Sequence, residues 1–198
     1  MRQVYGHDFK VRKRPATDRP CAHDGVFNGH RSHEPIDPMN DFLITGLDAT
    51  RFMALFTLGD ARLRERAIVR RVADASPGYP CRVSLQDAAL GDELLLLHHE
   101  HHAVPSPYRA AGPIFVRRGA APAALAVNEV PEVVLRRQIS LRAYDAGHLM
   151  RSGEVCDGPL VAAALRRLFA DRQVAYVHLH NAKQGCYSCA AQRAQPGS

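Results

Sequence analysis

Asp157 to Asn181 reads D-G-P-L-V-A-A-A-L-R-R-L-F-A-D-R-Q-V-A-Y-V-H-L-H-N. Two periods meet in this stretch. From Gly158 to Asp171, Leu160, Val161, Ala164, Leu165, Leu168 and Phe169 recur at helical spacing and make one apolar face, with Asp157 placed to cap it. From Ala175 to His180 the period drops to two. Ala175, Val177 and Leu179 share one side of a strand, and Tyr176, His178 and His180 share the other. A helix followed by a strand with one apolar face predicts an α-helix packed on a sheet whose far face is polar.

Outward from this pair, short strand patterns outnumber helical ones. Strands are expected at Phe42–Leu47, Ile68–Val72, Cys81–Leu85, Leu94–Leu97, Ile114–Arg117 and Ser140–Asp145. Short helices are expected after Asp48, from Asp60 to Arg66, and from Pro131 to Arg136. Tyr187 to Arg193 fits strand or helix equally well. The helices are too few for a doubly wound sheet. The expected fold is α+β, a single domain with a mixed or mostly antiparallel sheet and helices packed on one face.

The domain is expected over residues 39–198, because residues 1–38 lack apolar periodicity. That first segment holds the basic run Lys10-Val11-Arg12-Lys13-Arg14, four prolines and four scattered histidines, His7, His23, His30 and His33. It reads as a flexible tail, and Met39 reads as an alternative start, since the structured pattern follows it at once. The whole chain has 198 residues and a net charge of +6. Seven basic and five acidic residues in the tail leave +4 on the domain. An excess this modest, with no nucleic-acid motif, disfavours nucleic acid as a partner. No apolar run reaches the length of a membrane span, and the N-terminus has no signal-peptide core. Five irregularly spaced cysteines point to a reducing compartment, hence to the cytoplasm.

Four sets of residues can carry chemistry. His178 and His180 share a strand face, so both imidazoles can meet one ligand, a proton or a divalent metal such as zinc. His98-His99-Glu100-His101-His102 follows an apolar strand, and straight continuation would put His98, Glu100 and His102 on one face. Cys186 and Cys189 complete a two-histidine, two-cysteine set that zinc accepts, or a dithiol pair. If their segment is a strand, the two thiols face opposite ways. Arg82, Arg109, Arg117 and Arg142 supply guanidinium forks for a carboxylate or phosphate. There is no G-x-G-x-x-G, P-loop or G-x-S-x-G motif, so dinucleotide, Walker-type and α/β-hydrolase chemistry are disfavoured.

The segments Pro80–Leu85, Glu100-His101, Ser106–Arg109, Ile114–Arg117, Ser140–Asp145, Tyr176–Ala182 and Gly185–Tyr187 together resemble a bacterial family known only as a domain of unknown function. The resemblance spans about residues 41–195 and implies a single domain with no assigned activity. It places Glu100, His101, Tyr108, Arg109, Arg142, His178, His180, Asn181 and Cys186 in recurrent segments, and leaves Cys189, His98 and His99 outside them.

The expected function is the binding of a small anion in a pocket that can do enzymatic work. His101, His178, His180 and Cys186 are the candidate catalytic residues. Arg82, Glu100, Tyr108, Arg109, Arg142 and Asn181 are the candidate substrate contacts, with a metal on His178 and His180. Two alternatives stay open: a non-catalytic module for a metabolite or partner protein, and a metal-dependent hydrolase or oxidoreductase.

Overall fold

The structure is a computed structural model and describes residues 40–194. The tail expected over residues 1–38 and the start at Met39 lie outside these residues. The described elements, in chain order, are β1 (Phe42–Thr45), α1 (Thr50–Met53), a 3-10 turn (Ala54–Thr57), α2 (Asp60–Glu65), β2 (Val69–Val72), β3 (Glu93–His102), β4 (Ala110–Arg117), α3 (Glu132–Leu135), β5 (Gln138–Tyr144), β6 (Met150–Asp157), a second 3-10 turn (Gly158–Leu160), α4 (Val161–Ala170), β7 (Tyr176–Asn181) and β8 (Tyr187–Arg193). This is an α+β fold.

The strands form two sheets where one was expected. The larger is five-stranded, in the order β1-β8-β7-β5-β6, and the smaller is β2-β3-β4. Every strand pair in both is antiparallel. The large sheet follows the two periods of the opening stretch. Val161, Ala164, Leu165, Leu168 and Phe169 of α4 are buried. They share one core with Ile139, Leu141 and Ala143 of β5 and Val177 and Leu179 of β7. A second core gathers Phe52, Phe56, Leu63 and Ile68 with Leu95 and Leu97 of β3 and Ile114 and Val116 of β4. Among the described residues no helix is long and apolar enough to cross a membrane.

Several local expectations change. The long helix starts at Val161, after the 3-10 turn Gly158–Leu160, and Asp157 makes no side-chain capping bond. Gly158 is needed there, because a Cβ would lie 2.2 Å from the Leu135 carbonyl oxygen. Asp48 does organise the entry to α1, accepting from the Thr50 N–H at 2.9 Å and from its hydroxyl at 2.7 Å. Cys81–Leu85 is a tight turn and not a strand. The Leu85 N–H donates to the Cys81 carbonyl at 3.0 Å, and Leu85 sits at φ 52°. Arg82 is tied to β4 there by a 3.0 Å bond from its N–H to the Phe115 carbonyl.

Candidate functional site

The polar face of the large sheet is built by register. Across β5 and β7, Ser140 pairs with His180, Arg142 with His178 and Tyr144 with Tyr176. Across β7 and β8, His178 pairs with Ala190 and His180 with Tyr187. Paired residues in an antiparallel ladder share a face. Arg142, Tyr144, Tyr176, His178, His180 and Tyr187 therefore form one patch, opposite the apolar face that α4 covers.

The end of β3 lies against this patch. Its ladder with β4 slips between Glu100 and His102, so His101 is the extra residue of a β-bulge. The bulge breaks the alternation expected for the histidine run. His99 keeps the phase of Leu95 and Leu97 and packs edge-on to Phe52, with ring centroids 5.9 Å apart. His101 and His102 both turn to the large sheet. The His101 ring stacks on Tyr187 at 5.0 Å and meets His180 at 5.0 Å and His178 at 6.1 Å. His102 meets His178 at 5.0 Å and Tyr144 at 4.4 Å. His98 is exposed.

Hydrogen bonds determine the tautomers of part of the cluster. His180 Nδ1 lies 3.0 Å from the Gly185 carbonyl oxygen, which can only accept. Nδ1 therefore carries the proton, and in the neutral ring Nε2 is a bare lone pair. That Nε2 is buried and has no hydrogen-bond partner, and neither has Nδ1 of His178 or of His101. The same logic orders a chain nearby. His102 Nδ1 donates to the Tyr108 carbonyl at 2.7 Å, so in the neutral ring Nε2 accepts from the Tyr176 hydroxyl at 2.8 Å. The Tyr176 oxygen then accepts from His148 Nδ1 at 2.8 Å.

Burial keeps the His178, His180 and His101 rings neutral. Desolvation first, then His102 and the neighbouring cations, lowers His178 to about 3. Desolvation, partly offset by the Gly185 carbonyl and reinforced by Arg142, lowers His180 to about 4. His101 falls to about 4, through burial first and then His99 and Arg142. Burial also raises the Tyr176 phenol to about 12. Arg142 is thus near all three imidazoles. Among the described residues no carboxylate forms an ion pair with it.

The ten residues expected in one pocket separate into three places. His101, Arg142, His178 and His180 come together. Glu100 and Arg109 pair with each other at the surface, so Arg109 is not shown to join the histidines. Tyr108 contributes its backbone carbonyl to His102, and its ring meets Tyr144 at 6.1 Å. Arg117, also in the arginine set, faces Asp92 at 3.7 Å. Arg82, Asn181 and Cys186 line a different cavity, of about 350 Å³, with Arg136, Arg137 and Gln184.

The metal expectation does not carry over to this arrangement. Among the described residues no group of three or more His, Cys, Asp or Glu side chains is arranged to hold a metal ion. The two cysteines diverge: Cys189, in β8, is fully buried in the main core, while Cys186, one residue before the strand begins, lines the 350 Å³ cavity.

Sequence reasoning named His102 only within the histidine run, on the face of His98 and Glu100, and did not name His148, Tyr144, Tyr176 or Tyr187 as site residues. The strand alternation that placed Tyr176 beside His178 and His180 was a signal for one of them. The bulge that adds His102 leaves no mark in the sequence.

The model of a family described as Protein of unknown function (DUF1203) matches residues 78–193. No curated protein and no solved structure matches the chain. The matched region holds more than half of the 198 residues and every candidate site residue from Arg82 to Cys186. The chain belongs to the DUF1203 family of proteins of unknown function.

Proposed function

We propose that this domain is an enzyme acting on a small anionic substrate held against Arg142 and the rings of His101, His178 and His180. The observation that carries this reading is the His180 Nε2 lone pair, buried beside two other imidazole nitrogens that also lack partners. A buried polar atom without a partner costs about 1–3 kcal/mol, so such a group calls for something to bind it. A ligand hydroxyl or amine would satisfy Nε2 as a donor. Arg142, with no carboxylate of its own, would take the ligand's negative charge. Arg142 and His101 are half-buried, and so more exposed than His178 and His180.

The same arrangement supports proton transfer. A bound anion next to the imidazoles favours their charged form and raises their pKa values from about 3 and 4 towards neutrality. His180 is then the general base, and the Gly185 carbonyl holds its ring in the required tautomer. Arg142 orients the substrate and offsets charge that develops on it. The partner is a small molecule and not nucleic acid. Cys81, Cys156, Cys186 and Cys189 are free thiols, which suits a cytoplasmic setting.

A thermal-shift screen of phosphorylated and carboxylated metabolites tests this reading. At least one compound should stabilise the wild-type protein, and Arg142→Gln should abolish that shift. Equal stabilisation of both proteins would place the ligand elsewhere.

A further inference from the structure

We infer that the cavity lined by Arg82, Arg136, Arg137, Asn181, Gln184 and Cys186 is a second, separate site for a compact oxyanion, a phosphate or carboxylate group. It has a volume of about 350 Å³. A neighbouring cavity of about 490 Å³ shares Arg136, Arg137, Asn181 and Gln184 and adds Lys183.

The central observation is Arg82. The residue is only 3% exposed, yet it lines the cavity. Its Nε donates to the Tyr187 carbonyl at 2.8 Å, and its Nη1 donates to the Pro80 carbonyl. A guanidinium has five N–H donors. Two are spent, on neutral acceptors, and the remaining three belong to Nη1 and Nη2, the end of the fork that grips an oxyanion. Among the described residues Arg82 has no ion-pair partner. Burial lowers its pKa, with Arg137 acting in the same direction and Cys186, Cys81 and Cys189 offsetting part of the shift.

The other two arginines are held in place. Arg137 reaches Asp87 at 2.9 Å and donates to the Val133 carbonyl at 2.7 Å. Arg136 pairs with Glu132. Neither carboxylate lines the cavity. Asn181 is 7% exposed, and its Oδ1 has no hydrogen-bond partner. The cavity wall is therefore cationic and polar, and one of its guanidinium groups, Arg82, is buried without an ion-pair partner among the described residues. A buried guanidinium that lacks a carboxylate is costly unless something else supplies the anion.

This site is distinct from the histidine cluster, although the two share Tyr187. Its carbonyl holds Arg82, and its ring stacks on His101 at 5.0 Å. The inference does not depend on any role of His180.

Isothermal titration of the full chain with inorganic phosphate, and separately with succinate, distinguishes the two anion chemistries. At least one should bind with one-to-one stoichiometry. Arg82→Met should remove that binding. Because Arg82 is buried and its loss can unfold the protein, the exposed Gln184→Glu provides the second test. It places a like charge at the cavity rim and should weaken binding about fivefold. Arg142→Gln should leave the binding intact. Failure of both anions to bind, or binding indifferent to Gln184→Glu, would overturn the inference. Loss of the binding in Arg142→Gln would also overturn it, by assigning the anion to the histidine cluster.

Discussion

Acidification should destabilise this fold well above the pH at which its carboxylates titrate. His178 and His180 are 6% and 1% exposed and have folded-state values of about 3 and 4, against 6.5 for an unfolded histidine. Between these limits the unfolded chain binds more protons than the native one, so stability rises with pH. The contribution is complete above 6.5 and is lost as pH falls from there towards 4. At pH 5 each ring costs about 2 kcal/mol relative to pH 7.5, or roughly 4 kcal/mol for the pair. His99 and His101, each lowered to about 4 mainly by burial, act in the same direction. A denaturant slope near 2 kcal/mol/M converts the pair's share into a drop of about 2 M in urea midpoint. The assay is urea unfolding, followed by circular dichroism, at pH 7.5 and 5.0. His178→Gln/His180→Gln should shrink the drop to what His99 and His101 supply. An unchanged midpoint between the two pH values, or an undiminished drop in the double variant, would refute the reasoning.

Three other outcomes are expected. Gly158→Ala should cost about 3 kcal/mol by chemical denaturation, since its Cβ would lie 2.2 Å and 2.3 Å from the carbonyl oxygens of Leu135 and Val134. Wild-type stability in that variant would contradict the packing of the 3-10 turn against α3. Tyr176→Phe should cost about 1–2 kcal/mol, because it strips a hydroxyl that serves both His102 Nε2 and His148 Nδ1 at 2.8 Å. In native alkylation mapped by mass spectrometry, Cys186 and Cys156 should react before Cys81 and Cys189, which are 1% and 0% exposed. Early labelling of Cys189 would mean that β8 does not pack into the main core.

The parts of the fold with strong periodicity were legible in the sequence. Helix α4 and strand β7 each bury one face, and a buried face leaves an apolar period of the right length. Strand β6 went unseen because it is an edge strand: Arg151, Ser152, Gly153, Val155 and Asp157 are all exposed, so nothing imposes alternation on them. Val83 and Leu85 alternate like strand residues, yet they belong to a turn whose shape comes from bonds to β4 and β8, distant in sequence.

The site was legible to the same extent. His178, His180 and Arg142 could be grouped because strand geometry places them, whereas His101 and His102 depend on a bulge. Arg109 looked available only because its partner Glu100, across a hairpin, was counted as a second ligand contact. Arg136 was read only as the end of a short helix, and Arg137 was not named. That both line one cavity with Gln184 and Cys186 depends on the chain after α3 meeting the β7–β8 turn, distant in sequence.

The most direct test of the central claim is the protonation state of the His180 ring, read from long-range 1H–15N correlation spectra of the full chain at pH 7. The ring should be neutral with the proton on Nδ1 and a bare Nε2, and the Nε2 signal should shift when a stabilising anion from the thermal-shift screen is added. An imidazolium, or a ring protonated on Nε2, would contradict that claim.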